Sequence, residues 1–198
     1  GRENVNASDI YAQNLRTGQR WTIAEHPASQ AYPHISGQWV IYLDVAKYGR
    51  REQVADLWAY NLESGEDRLV GQVFHPLDAS AGMFHAIDDG KAVWTMCQIG
   101  TTFECQFFGV DLDNPTEYFV NMPAEFGPEV FSDNIVAYSG KRGTMELYDL
   151  EQGKLVAVIG DPQTGTVVNA LFISGDRVVW VTENREGLVS LFAARIER

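Results

Sequence analysis

The sequence predicts an all-β fold, a small β-propeller of about four blades with four antiparallel strands each. Aromatic residues make up 12% of the chain, and Val, Ile, Tyr, Phe and Trp recur in short runs, which favours strands. No apolar pattern with the 3.6-residue period of a helix extends over ten or more residues. Two blocks of sequence alternate with a period of about 40 to 50 residues, and four strands in each period are typical of a propeller blade.

The first block is a strand, a polar turn and an apolar strand that ends in an aromatic residue. Its four copies are HISGQWVIY (34–42), AIDDGKAVW (86–94), VFSDNIVAY (130–138) and FISGDRVVW (172–180). These copies supply the two inner strands of each blade, a and b.

The second block is a strand that ends in Asn-Leu or Asp-Leu, a short turn and another strand. Its copies are DIYAQNLRTGQ, DLWAYNLESGE, QFFGVDLDNPTE and MELYDLEQGK, with a worn copy, SLFAARI, at 190–196. Glycine provides the positive φ that a tight turn needs, and a short Asn or Asp side chain bonds the turn backbone. The residues predicted for these roles are Gly18, Gly65 and Gly153, and Asn14, Asn61, Asp111 and Asp149.

Residues 1–198 are expected to form one propeller domain. Three full blades occupy about 30–71, 82–121 and 127–160, and residues 167–196 and 8–25 form a composite blade that closes the ring. This makes seventeen strands, one more than four blades hold. The surplus strand is one of the two terminal copies of strand c, the third strand of a blade. The first copy contains Asp9, Ile10, Tyr11 and Leu15, and the last contains Leu188, Leu191, Phe192 and Ile196.

Three arrangements could accommodate the surplus strand. The composite blade could have five strands, or the chain could be a fragment of a larger propeller. Alternatively, the strand could pair with a neighbouring molecule, which would produce a dimer or a filament.

The segments PHISGQWVIYLD, ADLWAYNLESGEDRLV and FISGDRVVWV resemble the TolB-like propeller repeats of bacterial periplasmic and secreted proteins. The resemblance covers nearly the whole chain and implies an extracytoplasmic propeller. The usual Ser-Pro-Asp-Gly turn of that family is absent, which indicates a divergent branch. Propeller domains of oligopeptidase-type enzymes need a separate hydrolase domain for catalysis, and this sequence shows no nucleophile motif.

Four histidines are the first candidates for metal or acid–base chemistry. His26 and His75 precede Pro at the same point of the repeat and are expected to lie in loops. His34 and His85 lie on a strands at adjacent repeat positions, so alternation is expected to point them to opposite faces and to keep them from a joint site. No catalytic residue, metal ligand or cofactor site is therefore predicted.

Large aromatic side chains recur at equivalent positions and are expected to pack between blades rather than to bind a sugar. They are Tyr42, Trp94, Tyr138 and Trp180 in strand b, and Tyr11, Trp58 and Phe107 in strand c. Trp21 and Trp39 break the pattern and are predicted as exposed contacts. The acidic group Asp111, Asp113, Asn114 and Glu117 is interpreted as a solvated hairpin rather than a calcium loop.

Cys97 and Cys105 flank the turn QIGTTFE, and a hairpin centred on Thr101 would place them directly opposite each other. We therefore predict a disulfide, which would place the protein outside the cytoplasm. The net charge of −12 disfavours nucleic acid and anionic membranes as partners. No apolar run is long enough to insert in a membrane.

These observations predict a non-enzymatic, secreted or periplasmic protein-interaction module. The first alternative is a self-assembling structural subunit, an oligomer or an extracellular filament, in which a terminal strand completes the blade of a neighbouring copy. A carbohydrate-binding or lyase-type propeller is the second alternative, for which convergent polar residues at the channel are not evident.

Overall fold

The computed structural model describes residues 8–25, 29–45, 53–75, 84–99, 103–114, 117–124, 128–139, 143–160 and 167–197. These residues form the seventeen strands that the sequence predicts, and they contain no helix with the length and apolar character of a membrane crossing. The strands are β1 (Ile10–Gln13), β2 (Arg20–Ala24), β3 (Gln30–Ser36), β4 (Trp39–Asp44), β5 (Gln53–Asn61), β6 (Asp67–His75), β7 (His85–Asp88), β8 (Lys91–Ile99), β9 (Phe103–Asp111), β10 (Glu117–Ala124), β11 (Pro128–Ser132), β12 (Ile135–Ser139), β13 (Met145–Asp149), β14 (Lys154–Ile159), β15 (Val167–Ser174), β16 (Arg177–Glu183) and β17 (Val189–Arg195).

Consecutive strands pair antiparallel into five sheets, which we number in chain order. Sheet 1 is β1–β2, sheets 2 to 4 are β3–β6, β7–β10 and β11–β14, and sheet 5 is β15–β17. Among the described strands, sheets 2 to 4 contain a to d, sheet 1 contains c and d, and sheet 5 contains a, b and c. Within the described residues, sheets 1 and 5 are separate, so closure of the ring by a composite blade stays a prediction.

The turns between strands c and d have the predicted chemistry. The Asn14 carboxamide oxygen accepts hydrogen bonds from the backbone N–H groups of Arg16 and Thr17, at 2.9 and 3.0 Å. Asn61, Asp111 and Asp149 bond their turns in the same way. The three predicted turn glycines, Gly18, Gly65 and Gly153, have φ values of 74°, 72° and 64°.

A second recurring bond ties strand c to the turn between strands a and b. The residue that follows strand c donates its backbone N–H to a carbonyl of that turn. The pairs are Leu62 to Gln38, Leu112 to Gly90, Leu150 to Asn134 and Ile196 to Asp176, at 2.7, 2.8, 2.9 and 2.7 Å. Each a–b hairpin is thereby held against its own strand c.

Apolar clusters fill the space between consecutive sheets. We call the face that a sheet turns toward the next sheet its forward face, and the opposite one its backward face. Ile41 and Leu57 on the forward face of sheet 2 pack against Trp94 on the backward face of sheet 3. Val40 and Tyr42, on the backward face of sheet 2, pack against sheet 1. The same alternation continues through sheets 4 and 5.

The recurring aromatics in strand b pack between sheets, as predicted. Tyr42, Trp94 and Tyr138 are buried, and Trp180 is partly buried in the cluster between sheets 4 and 5. In strand c, the counterpart of Trp58 is Phe108 rather than the predicted Phe107. Phe108 pairs with Trp94 as Trp58 pairs with Tyr42, and the two rings of sheet 3 stack with centroids 5.7 Å apart.

The prediction that Trp39 is an exposed contact is wrong. The Trp39 side chain is buried between sheets 2 and 3, and its Nε1 donates to Asp113 Oδ1 at 2.8 Å. The Arg68 guanidinium carbon lies 4.8 Å from the centre of the Trp39 ring. Trp21 is half-buried against sheet 2. Asp113 is exposed in its turn, as the solvated-hairpin prediction requires, and it also accepts the bond from the buried indole.

Candidate interaction surfaces at the terminal sheets

The forward face of sheet 5 is apolar and has no sheet in front of it among the described residues. Phe172, Val179 and Ala193 form one row across its three strands, and Val181 and Leu191 form the next row. Phe172, Leu191 and Val189 are exposed. This is the type of face that sheets 2 to 4 bury against a neighbour.

Leu191 gives the clearest comparison between the exposed face of sheet 5 and the buried forward faces of sheets 2 to 4. It faces forward on strand c and pairs with Val181. Leu57, Phe107 and Met145 occupy the same position in sheets 2 to 4 and are 0%, 0% and 1% exposed, whereas Leu191 is 71% exposed. The exposure of Leu191 therefore comes from the lack of a sheet in front of it among the described residues, and not from its place in its own sheet.

Sheet 1 is incomplete on its inner side. Leu15 is the counterpart of Leu62 and Leu112, which bond to an a–b turn, but no a–b hairpin lies beside β1 within the described residues. Leu112 is buried, while Leu15 is 94% exposed and Tyr11 is 61% exposed. Strand β1 therefore presents a free edge where the other sheets have strand b.

The space left by that hairpin is visible on sheet 2. Ile35 lies on the backward face of strand a and is 63% exposed, whereas its counterparts Ile87 and Phe131 are buried. A cavity of about 260 Å³ is lined by residues of β1, β2, β3 and β4. Its lining consists of Ile10, Tyr11, Ala12, Gln13, Ile23, Pro33, His34, Ile35 and Val40.

Strands β1 and β17 are the two copies of strand c that the sequence predicts for one place in the closing blade, and the structure pairs them with different strands. Strand β17 occupies the edge of β16 through seven continuous pairs from Arg177–Arg195 to Glu183–Val189, so SLFAARI has the place of strand c in sheet 5. Among the described strands, β1 pairs with β2 alone.

The other predicted strand residues divide into buried and exposed ones. Ile10 and Ile196 are buried, whereas Leu188 and Phe192 are exposed. Asp9 is exposed and accepts a 3.5 Å hydrogen bond from the Tyr11 hydroxyl.

The two strand-a histidines come together, contrary to the prediction. The His34 and His85 rings meet edge to face, with centroids 4.8 Å apart. They do lie on opposite faces, but of consecutive sheets. His34 faces forward from sheet 2 and His85 faces backward from sheet 3, so opposite faces meet across the gap between the sheets.

His85 is held as a neutral imidazole. Its ring is 4% exposed, its Nε2 lies 2.7 Å from the Tyr32 carbonyl oxygen, and its Nδ1 has no hydrogen-bond partner within the described residues. Burial lowers the pKa of His85 to about 4, and the neighbouring His34 acts in the same direction. Burial also lowers the pKa of His34.

Two imidazoles alone do not make a metal centre. In the part of the chain that the structure describes, no three His, Cys, Asp or Glu side chains are close enough to share an ion. His26 lies outside the described residues, and His75 is the last residue of β6.

The cysteines pair as the hairpin prediction requires. Cys97 on β8 is directly opposite Cys105 on β9. The Leu112 N–H bond to Gly90 fixes the alternation along this ladder and makes Cys97–Cys105 a non-hydrogen-bonded pair. Such pairs have the short separation that a disulfide needs. Thr101 lies outside the described residues, and the disulfide itself stays a prediction.

Comparison with known proteins identifies the fold. No protein-family model and no curated protein sequence matches the chain. Among solved structures, the β-propeller domain of the Trilobed protease from Pyrococcus furiosus, described as having an open velcro topology, matches with a TM-score of 0.59 at 12% identity, over 86% of this chain and 57% of that one. TolB from Acinetobacter baumannii matches with a TM-score of 0.55 at 11% identity, over 93% and 45% of the two chains.

The chain has the fold of a TolB-like β-propeller. A puromycin hydrolase variant also matches, with a TM-score of 0.58 at 16% identity over 91% of this chain and 29% of the hydrolase. The chain thus spans about half the length of the propeller domain and TolB, and less of the hydrolase. Because a hydrolase is among the matching structures, the fold does not by itself assign or exclude an enzymatic activity.

Proposed function

We propose that this chain is a non-enzymatic protein-interaction module of the β-propeller type, and that its terminal sheets bind proteins. The observation that carries the proposal is the forward face of sheet 5, where Leu191 is exposed although its three counterparts are buried. Contiguous apolar surface on a folded domain marks an interaction site. The acidic net charge makes a protein a better partner than a nucleic acid.

An extracytoplasmic location belongs to the same proposal. The directly opposed Cys97 and Cys105 support it, because disulfides persist mainly in oxidising compartments. Mass analysis after alkylation, with and without reduction, tests this point. We expect no alkylation before reduction and two alkylated cysteines after it, and two thiols that react without reduction would contradict the proposal.

Charge substitution on the apolar face tests the interaction. We expect Leu191→Lys to abolish capture of the partner from periplasmic or secreted proteins, since a charge would be desolvated in the interface. Leu69→Lys is the matched control, because Leu69 is also an exposed strand leucine but lies in β6 of sheet 2. A captured protein would then be purified and its affinity for both variants measured. Equal capture by both variants would sink the proposal.

Self-assembly is a second candidate function, in which copies of the chain form an oligomer or a filament. Its support is that, among the described strands, sheet 5 contains strands a to c and sheet 1 contains strands c and d, so the two sheets present different edges. A contact between two different ends is heterologous and either closes a ring or propagates into a fibre.

Light scattering coupled to size-exclusion chromatography, followed by negative-stain imaging, tests self-assembly. We expect a mass above that of the 22.1 kDa monomer that increases with protein concentration. A constant monomer mass over the accessible concentrations would contradict this candidate and would leave the binding of another protein intact.

A further inference from the structure

We infer that His85 acts as an acid-sensitive latch on a strained bulge in the neighbouring sheet. Near neutral pH its ring holds the bulge at Tyr32 and Pro33 through one hydrogen bond, and protonation drives the ring out of the gap between sheets 2 and 3 and releases the bulge. The inference goes beyond the proposed function, because it concerns a conformational change at strands β3 and β7 and not the terminal sheets.

The bulge lies in strand a of sheet 2. The register of β3 on β4 passes from Ala31–Leu43 to His34–Ile41, so Tyr32 and Pro33 share one position of the partner strand. Tyr32 has a φ of 54°, which is a strained backbone for a bulky residue. Its side chain is 58% exposed, so packing of the ring does not hold the backbone in place. Strain of this kind persists only where the surroundings enforce it.

His85 of sheet 3 makes the contact that holds this backbone. Its Nε2 lies 2.7 Å from the Tyr32 carbonyl oxygen. A carbonyl only accepts, so Nε2 carries the proton of the neutral ring and Nδ1 is the unprotonated nitrogen. Nδ1 has no hydrogen-bond partner within the described residues, and His85 is 4% exposed. The closed gap therefore accommodates the neutral ring and offers nothing to a second N–H group.

Protonation makes the closed position unfavourable. The added proton would bury a charged Nδ1–H without an acceptor, which costs the full desolvation of that group. The His34 ring, with its centroid 4.8 Å from that of His85, would add a like charge when it is also protonated. Movement of the His85 ring into water relieves both costs and gives up the bond to Tyr32.

No carboxylate in the described strands around the ring offsets this charge. The pKa of His85 responds to burial, to the Tyr32 bond and to His34. On its own strand, Asp88 accepts bonds from the next sheet, from the Ser132 hydroxyl and the Asp133 N–H. The charged groups of the adjacent strands are also engaged elsewhere, since Lys91 of β8 bonds to Asn134 and Asp56 of β5 bonds to Gln72.

Proton linkage gives the sign and size of the effect. In the closed form the pKa of His85 is lowered to about 4, whereas an imidazole in water has a pKa of 6.5. Between these values the open form binds a proton that the closed form does not, so the opening equilibrium increases as the pH falls. From pH 7 to pH 5 the increase is about 20-fold. Protonation of a histidine that biases a two-state element is an established type of switch.

Hydrogen exchange followed by mass spectrometry tests the latch in the full chain. Exchange of β3 is measured at pH 7 and 5 over a series of low urea concentrations, and the rates are corrected for the pH dependence of chemical exchange. Strand β13 of sheet 4 is the internal reference. We expect β3 to open about 20-fold more at pH 5. This opening should not depend on urea, because it exposes little surface, whereas exchange of β13 should increase with urea.

Two variants assign the pH dependence to the ring. His85→Gln retains a donor for the Tyr32 carbonyl but cannot be protonated, so its β3 should open equally at pH 7 and 5. His34→Gln retains the latch and should keep most of the increase. The nitrogen chemical shifts of the His85 ring in the wild type give a reading that needs no variant, and we expect an unprotonated Nδ1 at pH 7.

Each measurement has an outcome that overturns the inference. If β3 exchanges at the rate of β13 and with the same urea dependence, the bulge opens only when the whole fold unfolds. Equal increases in wild type and His85→Gln, or no increase in wild type, would show that the ring does not control the bulge. A proton on Nδ1 at pH 7 would mean that the neutral ring does not donate to Tyr32.

Discussion

The buried His85 imidazole predicts that the fold loses stability in mild acid. The ring is 4% exposed, and burial lowers its pKa from 6.5 to about 4. Between these two pH values the unfolded chain binds a proton at His85 that the folded chain does not. The contribution of His85 to the free energy of unfolding is therefore fully present above pH 6.5, and it is lost as the pH decreases to about 4. The pKa difference corresponds to about 3 kcal/mol, at about 1.4 kcal/mol for each pKa unit.

Urea denaturation followed by tryptophan fluorescence at pH 7, 5.5 and 4 measures this loss. The variant His85→Gln retains an amide that can donate to the Tyr32 carbonyl but has no titratable group at that position. Both proteins contain the same carboxylates, so subtracting the variant's loss of unfolding free energy from that of wild type removes the carboxylate contribution. His34→Gln is the control, since it removes the neighbouring ring and retains His85. The reasoning is refuted if wild type and His85→Gln lose the same free energy between pH 7 and 4.

Three further substitutions test the packing and the turns. Gly71→Ala places a methyl group 2.5 Å from the Trp94 ring and should cost about 1–3 kcal/mol by overpacking; an unchanged midpoint of thermal unfolding would contradict this. Trp39→Phe removes the 2.8 Å bond to the Asp113 carboxylate and should cost about 1–2 kcal/mol, and no loss in urea denaturation would show that the bond is not stabilising. Asn61→Ala removes two bonds to turn N–H groups and should cost about 1 kcal/mol, whereas Asn61→Asp should be nearly neutral; equal losses would refute the turn role.

The strands and turns could be predicted because their causes are local. Asn61 and Gly65 are four residues apart, and together they determine the c–d turn, which in turn fixes the pairing of both adjacent strands. The same spacing at Asn14 and Gly18 gives the same turn. The Asn or Asp side chain bonds the turn in four c–d connections, and the glycine recurs in three of them. This repetition supports the count of seventeen strands, and the described residues contain seventeen.

Contacts between sheets could not be predicted in this way. Trp39 and Asp113 are 74 residues apart, and nothing near either residue in the sequence identifies the other. For His34 and His85, period-2 alternation correctly assigns opposite faces, but the consequence depends on which sheets are adjacent. Residues on opposite faces diverge within one sheet and converge when the sheets are consecutive.

The terminal sheets show that the burial of a repeat residue is decided outside its own sheet. Leu191 has the same pairing, strand and residue type as Leu57, yet one is exposed and the other is fully buried. Its face also has the anatomy of an interface, with an apolar centre and charges at the margin. The margin includes Arg195, which lies 3.3 Å from Asp176, and Glu183 at the opposite end of the strand pair. In an antiparallel sheet with one solvated face, that face is polar, so the apolar centre of this face supports the proposal that a protein surface covers it.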